Sequence, residues 1–241
     1  MYVIHPLPQS PWNPRLMDNQ PPPVPTDEVL DEVRANWDYE TAHRPQIFNG
    51  KIFSLDRIEG SLLTGFLADY SWYLAQLRNP ALFDALRVRS LAVSGLVVAG
   101  GHVIFGKRKA GLAVEGGLWE LAPSGTIHGG PREADGSISW RKIFQEEIRE
   151  ELGIAPPPTV LKAFALIENT QNHIWEMGVA LELTMDHRNI LTAYVSAEHP
   201  EHTEMAAVPL EDVPRFLKVR REEMVGACPR LLAAYGLVPS P

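Results

Sequence analysis

The sequence predicts an α/β (α+β) fold in which helices pack against a mixed sheet. Two observations support this. From about residue 90, short apolar runs typical of strands are mixed with longer runs of helical spacing. Two of the strand-like runs are joined by a tight Gly-Gly turn, which is typical of an antiparallel hairpin. With 45% apolar residues among 241, the chain can bury a sizeable core.

The N-terminal part is predicted to contain an extended arm and a subdomain. Residues 1–25 include a cluster of prolines and little to bury, which indicates an extended arm. A helix start at residue 26, a strand-like segment over 46–55 and a helical pattern over 67–86, divided by Pro80, follow. These segments suggest an N-terminal subdomain over residues 26–89.

A second domain is expected over residues 90–241. A helix predicted over residues 139–152 should end at Gly153 and the three prolines at 156–158. The C-terminus has a helical pattern. The predicted strands of this domain are 91–98, 102–106, 117–121, 160–168, 174–183 and 206–209.

Charge and cysteine content exclude several classes of function. The chain has 22 basic and 30 acidic residues, a net charge of −8, which argues against general binding to nucleic acid or to a membrane surface. Cys228 is the only cysteine, which fits a reducing cytoplasm. The N-terminal stretch does not resemble a secretory signal, and no segment is apolar enough to span a bilayer. We expect a cytoplasmic protein with a small-molecule partner.

The helix over residues 139–152 carries carboxylates where they are locally unfavourable. Glu146, Glu147, Glu150 and Glu151 lie near its C-terminal end, where the helix dipole disfavours each anion by about 0.3–1 kcal/mol. Glu147 and Glu151 fall inside the apolar arc, with Glu150 at its edge. One Mg²⁺ or Mn²⁺ would satisfy several inward-facing carboxylates. A solvated acidic helix paired with Lys and Arg is the alternative that the spacing leaves open.

The same helix carries a family motif. Glu147–Ile154 matches the second half of the Nudix motif, and the chain resembles the Nudix hydrolases over about residues 90–217. Leu118–Gly125 is similar to the strand and glycine turn before that motif, and Ala206–Val213 to the family's late strand and short helix. The resemblance implies an α/β/α sandwich and a hydrolase that cleaves the diphosphate bond of a nucleoside diphosphate derivative. The metal-binding glutamates of the motif fall on Glu147, Glu150 and Glu151.

Two positions depart from the motif. Glu146 stands where the family has Arg, and Ile138 where it has the first Glu; in the family these two residues form a structural ion pair. Gly125 to Ile154 spans 30 residues, where the motif has 23. The insertion, about residues 128–137, is expected beside the metal site, where it would shape substrate choice.

A weaker similarity extends into the N-terminal half. Phe48–Leu55 and Asp69-Tyr70, followed by the strand into Phe105–Arg108, are similar to the larger Nudix proteins that hydrolyse UDP-glucose. This similarity implies that residues 26–89 cover the substrate or build a homodimer.

The resemblance implies roles for individual residues. Mg²⁺ on the three glutamates would polarise a diphosphate oxygen and activate water. Glu147 and Glu204 are the candidate general bases, and Glu150 is expected to be essential for turnover. The candidate substrate contacts are Ser124, Gly125, His128 and Arg108. His199 and His202 are spaced as a pair of metal ligands, but the sequence offers no convincing third ligand beside them.

Three interpretations stay open at this point. The chain is a catalytic hydrolase acting on a compound such as a UDP-sugar or ADP-ribose, a nucleotide-binding or regulatory protein of the same fold without turnover, or an unrelated α/β protein whose acidic helix binds a partner. Retention of the three motif glutamates favours the first.

Overall fold

A computed structural model gives the fold of the protein and describes residues 1–7, 12–155, 160–197 and 201–239. The prolines at 156–158, and His199, lie outside the described residues. The strands are β1 (Tyr2–His5), β2 (Arg15–Met17), β3 (Lys51–Glu59), β4 (Leu62–Asp69), β5 (Leu91–Ala99), β6 (His102–Arg108), β7 (Trp119–Leu121), β8 (Ser124–Thr126), β9 (Lys162–Asn169), β10 (Ile174–Leu183) and β11 (His202–Pro209). The helices are α1 (Asp27–His43), α2 (Tyr70–Arg78), α3 (Phe83–Leu86), α4 (Trp140–Leu152), α5 (His187–Tyr194), α6 (Val213–Val219) and α7 (Cys228–Ala234).

A mixed eight-stranded sheet forms the centre of the molecule. Its order is β1-β9-β10-β5-β6-β11, with β7 added to β6 and β8 to β5. β5 and β10 run parallel, whereas β5 and β6 form the expected antiparallel hairpin. Gly100 and Gly101 make its turn with φ of 54° and 76°, a conformation that glycine adopts without steric cost. The predicted mixed α+β fold is confirmed.

A second sheet of three strands, in the order β2-β4-β3, packs beside the first. Phe53 and Leu63 from this sheet belong to the same apolar cluster as Val93 and Phe144. The Phe53 amide also donates to the Ile127 carbonyl at 2.7 Å. The N-terminal segment therefore shares a core with the large sheet, and the predicted boundaries of its subdomain stay a prediction.

The predicted extended arm over residues 1–25 is wrong for two of its segments. β1 pairs with β9 at the edge of the large sheet, and β2 pairs with β4. Trp12 and Leu16 are buried, at 3% and 0% exposure. These short apolar stretches gain order from strand partners distant in sequence, which the proline content of the segment concealed.

The helical pattern predicted over residues 67–86 begins too early. The chain is still extended in β4 up to Asp69, because β4 forms a ladder with β3 across the turn at Gly60. The helix starts at Tyr70, and Pro80 does separate it from a further short helix, as predicted. The short strand β8 and the helix α5 were also not predicted.

Helix α4 forms as the sequence predicts and lies against the large sheet. Ile143, Phe144, Ile148 and Leu152 are fully buried. Gly153, at φ 66°, ends the helix in the left-handed conformation. Within the described ranges, none of the helices combines the length and hydropathy needed to cross a bilayer.

Candidate active site

A cavity of about 940 Å³ lies between the two sheets. One wall comes from the N-terminal segment, through β3, β4 and α2. The opposite wall comes from β5, β8, β10 and α4. Loops 111–115 and 128–130 contribute to its lining. A cavity of this size accommodates a nucleotide-sized ligand.

Glu120 is the centre of a buried hydrogen-bond network beside this cavity. The Arg108 guanidinium donates to both of its carboxylate oxygens, at 2.7 and 2.9 Å. The Ser124 hydroxyl donates to Oε2 at 2.8 Å, and His202 Nε2 lies 2.9 Å from Oε1. Burial alone raises the pKa of Glu120, but the hydrogen bond from His202 and the charge of Arg108 bring it below its usual value. Glu120 is therefore ionised and held by the Arg108 guanidinium and by the hydrogen bonds of His202 and Ser124.

Glu151 lies next to this network and lacks full compensation. It is 1% exposed; its Oε2 accepts a hydrogen bond from the Ser124 amide at 3.2 Å and lies 3.7 Å from His202 Nδ1. Its Oε1 is buried with no hydrogen-bond partner among the described residues. Burial raises the pKa of Glu151 well above its usual value, and the charges of Glu120 and Glu147 raise it further.

Glu147 is the glutamate of α4 that lines the cavity. Burial raises its pKa to about 8, and the negative charges of Glu201 and Glu150 add to the shift. A Cβ at Gly125 would lie 2.0 Å from Glu147 Oε1. The glycine turn before α4 therefore leaves the space that the Glu147 carboxylate occupies.

Replacing Gly125 by Ala is expected to displace the Glu147 side chain from this position. The added methyl group cannot share the space of the carboxylate, although the backbone of Gly125 has no positive φ that would strain an alanine. We expect ligand binding at the cavity to weaken about tenfold with a small change in stability. Calorimetric titration of a nucleoside diphosphate and urea unfolding measure the two effects. Unchanged binding would show that the position of Glu147 does not matter for the ligand.

The donor chemistry of this site fits a divalent cation. The negative charge of Glu147 contributes to the raised pKa of the buried Glu151. Glu151 Oε1 has no hydrogen-bond partner among the described residues. Carboxylate oxygens are the donors that Mg²⁺ and Mn²⁺ take. Within residues 1–7, 12–155, 160–197 and 201–239, no three His, Cys, Asp or Glu side chains are gathered at metal-binding geometry.

The structure brings most of the predicted site residues to one place. Ser124, Gly125, His128, Arg108 and Glu147 all line the cavity. His128 accepts a hydrogen bond from the Gly130 amide at 3.1 Å through Nδ1. The guanidinium of Arg108 is already paired with a carboxylate, so it is not a free phosphate ligand.

Two predicted residues lie elsewhere. Glu150 is half-buried on α4 and is not among the described residues that line the cavity. Glu204, 57% exposed, forms an ion pair with Lys107 at 3.2 Å on the protein surface. Residues two apart in a regular strand share a face, but the pairing of β11 with β6 shifts register between His202 and Glu204, so that His202 is buried and Glu204 is exposed.

The departures from the Nudix motif also have structural counterparts. Ile138, 1% exposed, packs in the core, and its amide donates to the Leu16 carbonyl at 2.8 Å. Glu146 is 41% exposed and lies 3.8 Å from His128 Nε2. An apolar contact therefore occupies one position of the family's ion pair, and Glu146 faces the inserted loop.

The sequence analysis missed Glu120 and Glu176 as site residues and gave His202 no role beyond the rejected metal pair. Both glutamates interrupt otherwise apolar strands, at Trp119–Leu121 and Ile174–Leu183. A charged residue inside a strand buried on both faces is a signal of a special environment. His202 carries no such signal, because its burial depends on the pairing of β11 with β6.

Glu176 makes stability depend on pH. The Ser94 hydroxyl donates to its carboxyl group, and burial raises the pKa from the ordinary 4.5 to about 8. Between these values the folded protein keeps a proton that the unfolded chain has lost. The free energy of unfolding therefore falls as pH rises through this window, by at most about 1.4 kcal/mol per pH unit from this group.

Replacing Glu176 by Gln removes this ionisation. We expect the free energy of unfolding of Glu176→Gln to fall less steeply than that of the wild type between about pH 4.5 and 8, with the variant the more stable at the upper end. Urea unfolding at several pH values measures both curves. Parallel curves would show that Glu176 ionises at its ordinary pKa in the folded protein.

Among the comparisons with known proteins, the one with solved structures gave matches. No protein-family profile matches the chain, and no curated protein matches it. DR0079 from Deinococcus radiodurans is 12% identical, with a TM-score of 0.48 over 73% of this chain and 93% of that one. The NUDIX domain of Shewanella oneidensis NrtR, complexed with ADP ribose, is 14% identical, with a TM-score of 0.39 over 58% of this chain and 90% of that one.

A third similar structure is the bifunctional NMN adenylyltransferase/ADP ribose pyrophosphatase from Francisella tularensis, complexed with AMP and Mn ion. It is 15% identical, with a TM-score of 0.36 over 63% of this chain and 46% of that one. The solved structures similar to this chain thus include Nudix domain proteins.

Proposed function

We propose that the chain is a Mg²⁺-dependent hydrolase of the Nudix type, with Mn²⁺ as an alternative cation. Its substrate is a nucleoside diphosphate linked to another group, such as a UDP-sugar or an ADP-ribose-like compound. The observation that carries the proposal is the placement of Glu147 and Glu151 beside Ser124 and Gly125 at the cavity. These carboxylates repel each other in a buried region, which a site built for a cation explains.

The chain's own groups supply the remaining requirements for hydrolysis. Arg44 and Lys51 line the cavity wall, where Arg44 pairs with Glu40 and Lys51 pairs with Asp69 at 2.9 Å. A diphosphate that displaced either carboxylate would gain a cationic partner. In its ionised form, which a bound divalent cation would favour over the protonated form, the Glu147 carboxylate takes the proton of the attacking water. The water oxygen bonds to phosphorus as the bridging P–O bond breaks, which releases a nucleoside monophosphate and a phosphorylated remainder.

A bound Mg²⁺ would be held by Glu147 and Glu151, with Glu150 as the third motif glutamate. It supplies charge for the diphosphate oxygens and a lower pKa for water. The cysteine-poor, oxygen-rich donor set favours Mg²⁺ or Mn²⁺ over a thiolate-bound metal.

A second candidate is a nucleotide-binding protein of the same fold without turnover. One observation favours it. Glu120 is already neutralised by Arg108, His202 and Ser124, and no cluster of three metal ligands occurs in the described part of the chain. A ligand could then bind in the cavity without being cleaved.

The test is phosphate release from a panel of nucleoside diphosphate compounds, including UDP-glucose and ADP-ribose, with a coupled phosphatase. We expect cleavage of one or two compounds with Mg²⁺ and none with EDTA. Calorimetric titration of the same panel separates the two candidates. Tight binding without release would support the binding protein, and neither binding nor release would contradict both.

A further inference from the structure

The cavity has a second polar region away from the acidic helix. Tyr73 of α2 lines it, is 2% exposed, and its hydroxyl has no hydrogen-bond partner among the described residues. Leaving such a buried hydroxyl unpaired is unfavourable. A ligand group in the cavity is a partner that recovers this cost.

Glu176 lies on the other wall of this region. It is 7% exposed, lines the cavity and accepts the hydrogen bond of the Ser94 hydroxyl. The neighbouring lining residues Ala92 and Ile174 are apolar. Tyr73 and Glu176 are therefore buried polar groups that adjoin apolar residues of the wall, an arrangement typical of specific ligand recognition.

The sheet register sets the distance between this region and the acidic site. Glu176 of β10 lies opposite Ala92 of β5, and Ala92 lies opposite Thr126 of β8, next to Gly125. Two strand spacings separate β10 from β8, about 10 Å in all. The two regions are thus placed to contact different parts of one ligand.

We propose that Tyr73 and Glu176 form a second binding subsite, which takes an uncharged, hydroxyl-bearing group of the substrate, a sugar ring. The proposal rests on the proposed function, in which the diphosphate lies at Ser124 and Gly125. In both kinds of compound named there a sugar lies beyond the diphosphate, and this sugar is the group that the subsite contacts.

The chemistry of the two groups favours hydroxyls over charged ligands. Burial raises the pKa of Tyr73 well above its usual value and that of Glu176 to about 8, so both are neutral at pH 7. A neutral phenol and a neutral carboxyl group each donate and accept. A sugar hydroxyl also does both, so it satisfies either group whichever oxygen carries the proton.

The experiment compares binding of two compounds that differ only in the sugar. UDP and UDP-glucose are titrated calorimetrically into the full chain with Ca²⁺ in place of Mg²⁺, and chromatography verifies that UDP-glucose stays intact. Tyr73→Phe removes only the unpaired hydroxyl, so we expect it to fold as the wild type. Tyr235→Phe is the matched control, since its hydroxyl donates to Glu182 outside the cavity.

We expect Tyr73→Phe to weaken UDP-glucose binding about tenfold and to leave UDP binding unchanged. Glu176→Leu, which removes both carboxyl oxygens, should weaken UDP-glucose binding in the same selective manner, and Tyr235→Phe should change neither. Equal losses for UDP and UDP-glucose would overturn the subsite, because the base or diphosphate would then occupy it. Unchanged binding of both compounds in Tyr73→Phe would also overturn the subsite. So would the absence of UDP and UDP-glucose binding in the wild type.

Cleavage of UDP-glucose by the wild type distinguishes a failure of the subsite proposal from a failure of the proposed function. Selective loss of UDP-glucose binding without cleavage by the wild type would keep the subsite and remove the hydrolase. Cleavage of UDP-glucose with unchanged binding in Tyr73→Phe and Glu176→Leu would keep the hydrolase and remove the subsite.

Discussion

Replacing Glu147 by Gln lowers kcat for the cleaved compound by at least about 100-fold and leaves the fold intact. Glu147 is the α4 glutamate that lines the cavity, and burial with neighbouring negative charge raises its pKa to about 8. Gln has the same shape, so it fills the space left by Gly125, but it cannot accept a proton from water or bind a cation as an anion. Kinetics of phosphate release measure the loss, and urea unfolding verifies the fold.

Three further Glu→Gln variants separate the possible roles. Glu151→Gln and Glu150→Gln remove the other two proposed cation ligands, and we expect each to lower kcat. Glu211→Gln is the control, because Glu211 is exposed in the short 3₁₀ helix after β11. Wild-type activity in Glu147→Gln would contradict both the base and the cation assignment.

Glu204→Gln tests the other predicted general base. Its carboxylate pairs with Lys107 at the surface, and the variant is expected to keep wild-type kcat. A large loss in Glu204→Gln together with a small one in Glu147→Gln would move the base to β11 and require a rearrangement of that strand.

Helix α4 could be predicted because its signals are local. Ile143, Ile148 and Leu152 recur at helical spacing, and Gly153 follows at the position where a helix ends in the left-handed conformation. The inward face of Glu151 follows from the same spacing and is confirmed by its burial. A periodic segment with its own stop signal needs no knowledge of its partners.

The N-terminal strands could not be predicted in the same way. β1 and β2 are four and three residues long, and each is ordered by a partner far along the chain, Lys162–Asn169 and Leu62–Asp69 respectively. Both strands are very short and lie next to prolines, so the local pattern indicated an extended arm rather than paired strands. Pairing over such separations is a property of the tertiary fold, which short windows of sequence do not report.

The residues of the candidate site also differ in how well the sequence predicts them. Ser124, Gly125 and Glu147 could be identified because they belong to one continuous motif region. The partners that set their electrostatics come from other strands: His202 lies 82 residues from Glu120 in sequence, and its carboxylate contact exists only through strand pairing. Sequence spacing therefore predicted the acidic helix. It did not predict that Arg108 and His202 would contact Glu120, the buried carboxylate beside that helix.

Replacing Arg108 by Met is expected to lower the free energy of unfolding by about 3 kcal/mol. Arg108 and Glu120 are largely buried, with side chains 15% and 7% exposed, and they share two hydrogen bonds. Without the guanidinium, the Glu120 carboxylate keeps His202 and Ser124 but faces Glu151 with less compensation. Urea unfolding at constant pH measures the loss.

Two comparisons isolate the contribution of the buried pair. Arg188→Met removes a surface arginine whose side chain is 78% exposed and whose partner is Asp186; we expect a loss below about 1 kcal/mol. The double variant Arg108→Met with Glu120→Met removes both buried charges, and we expect it to be more stable than Arg108→Met alone, because no uncompensated carboxylate remains. Equal losses in Arg108→Met and Arg188→Met would show that the buried pair stabilises no more than a solvated one.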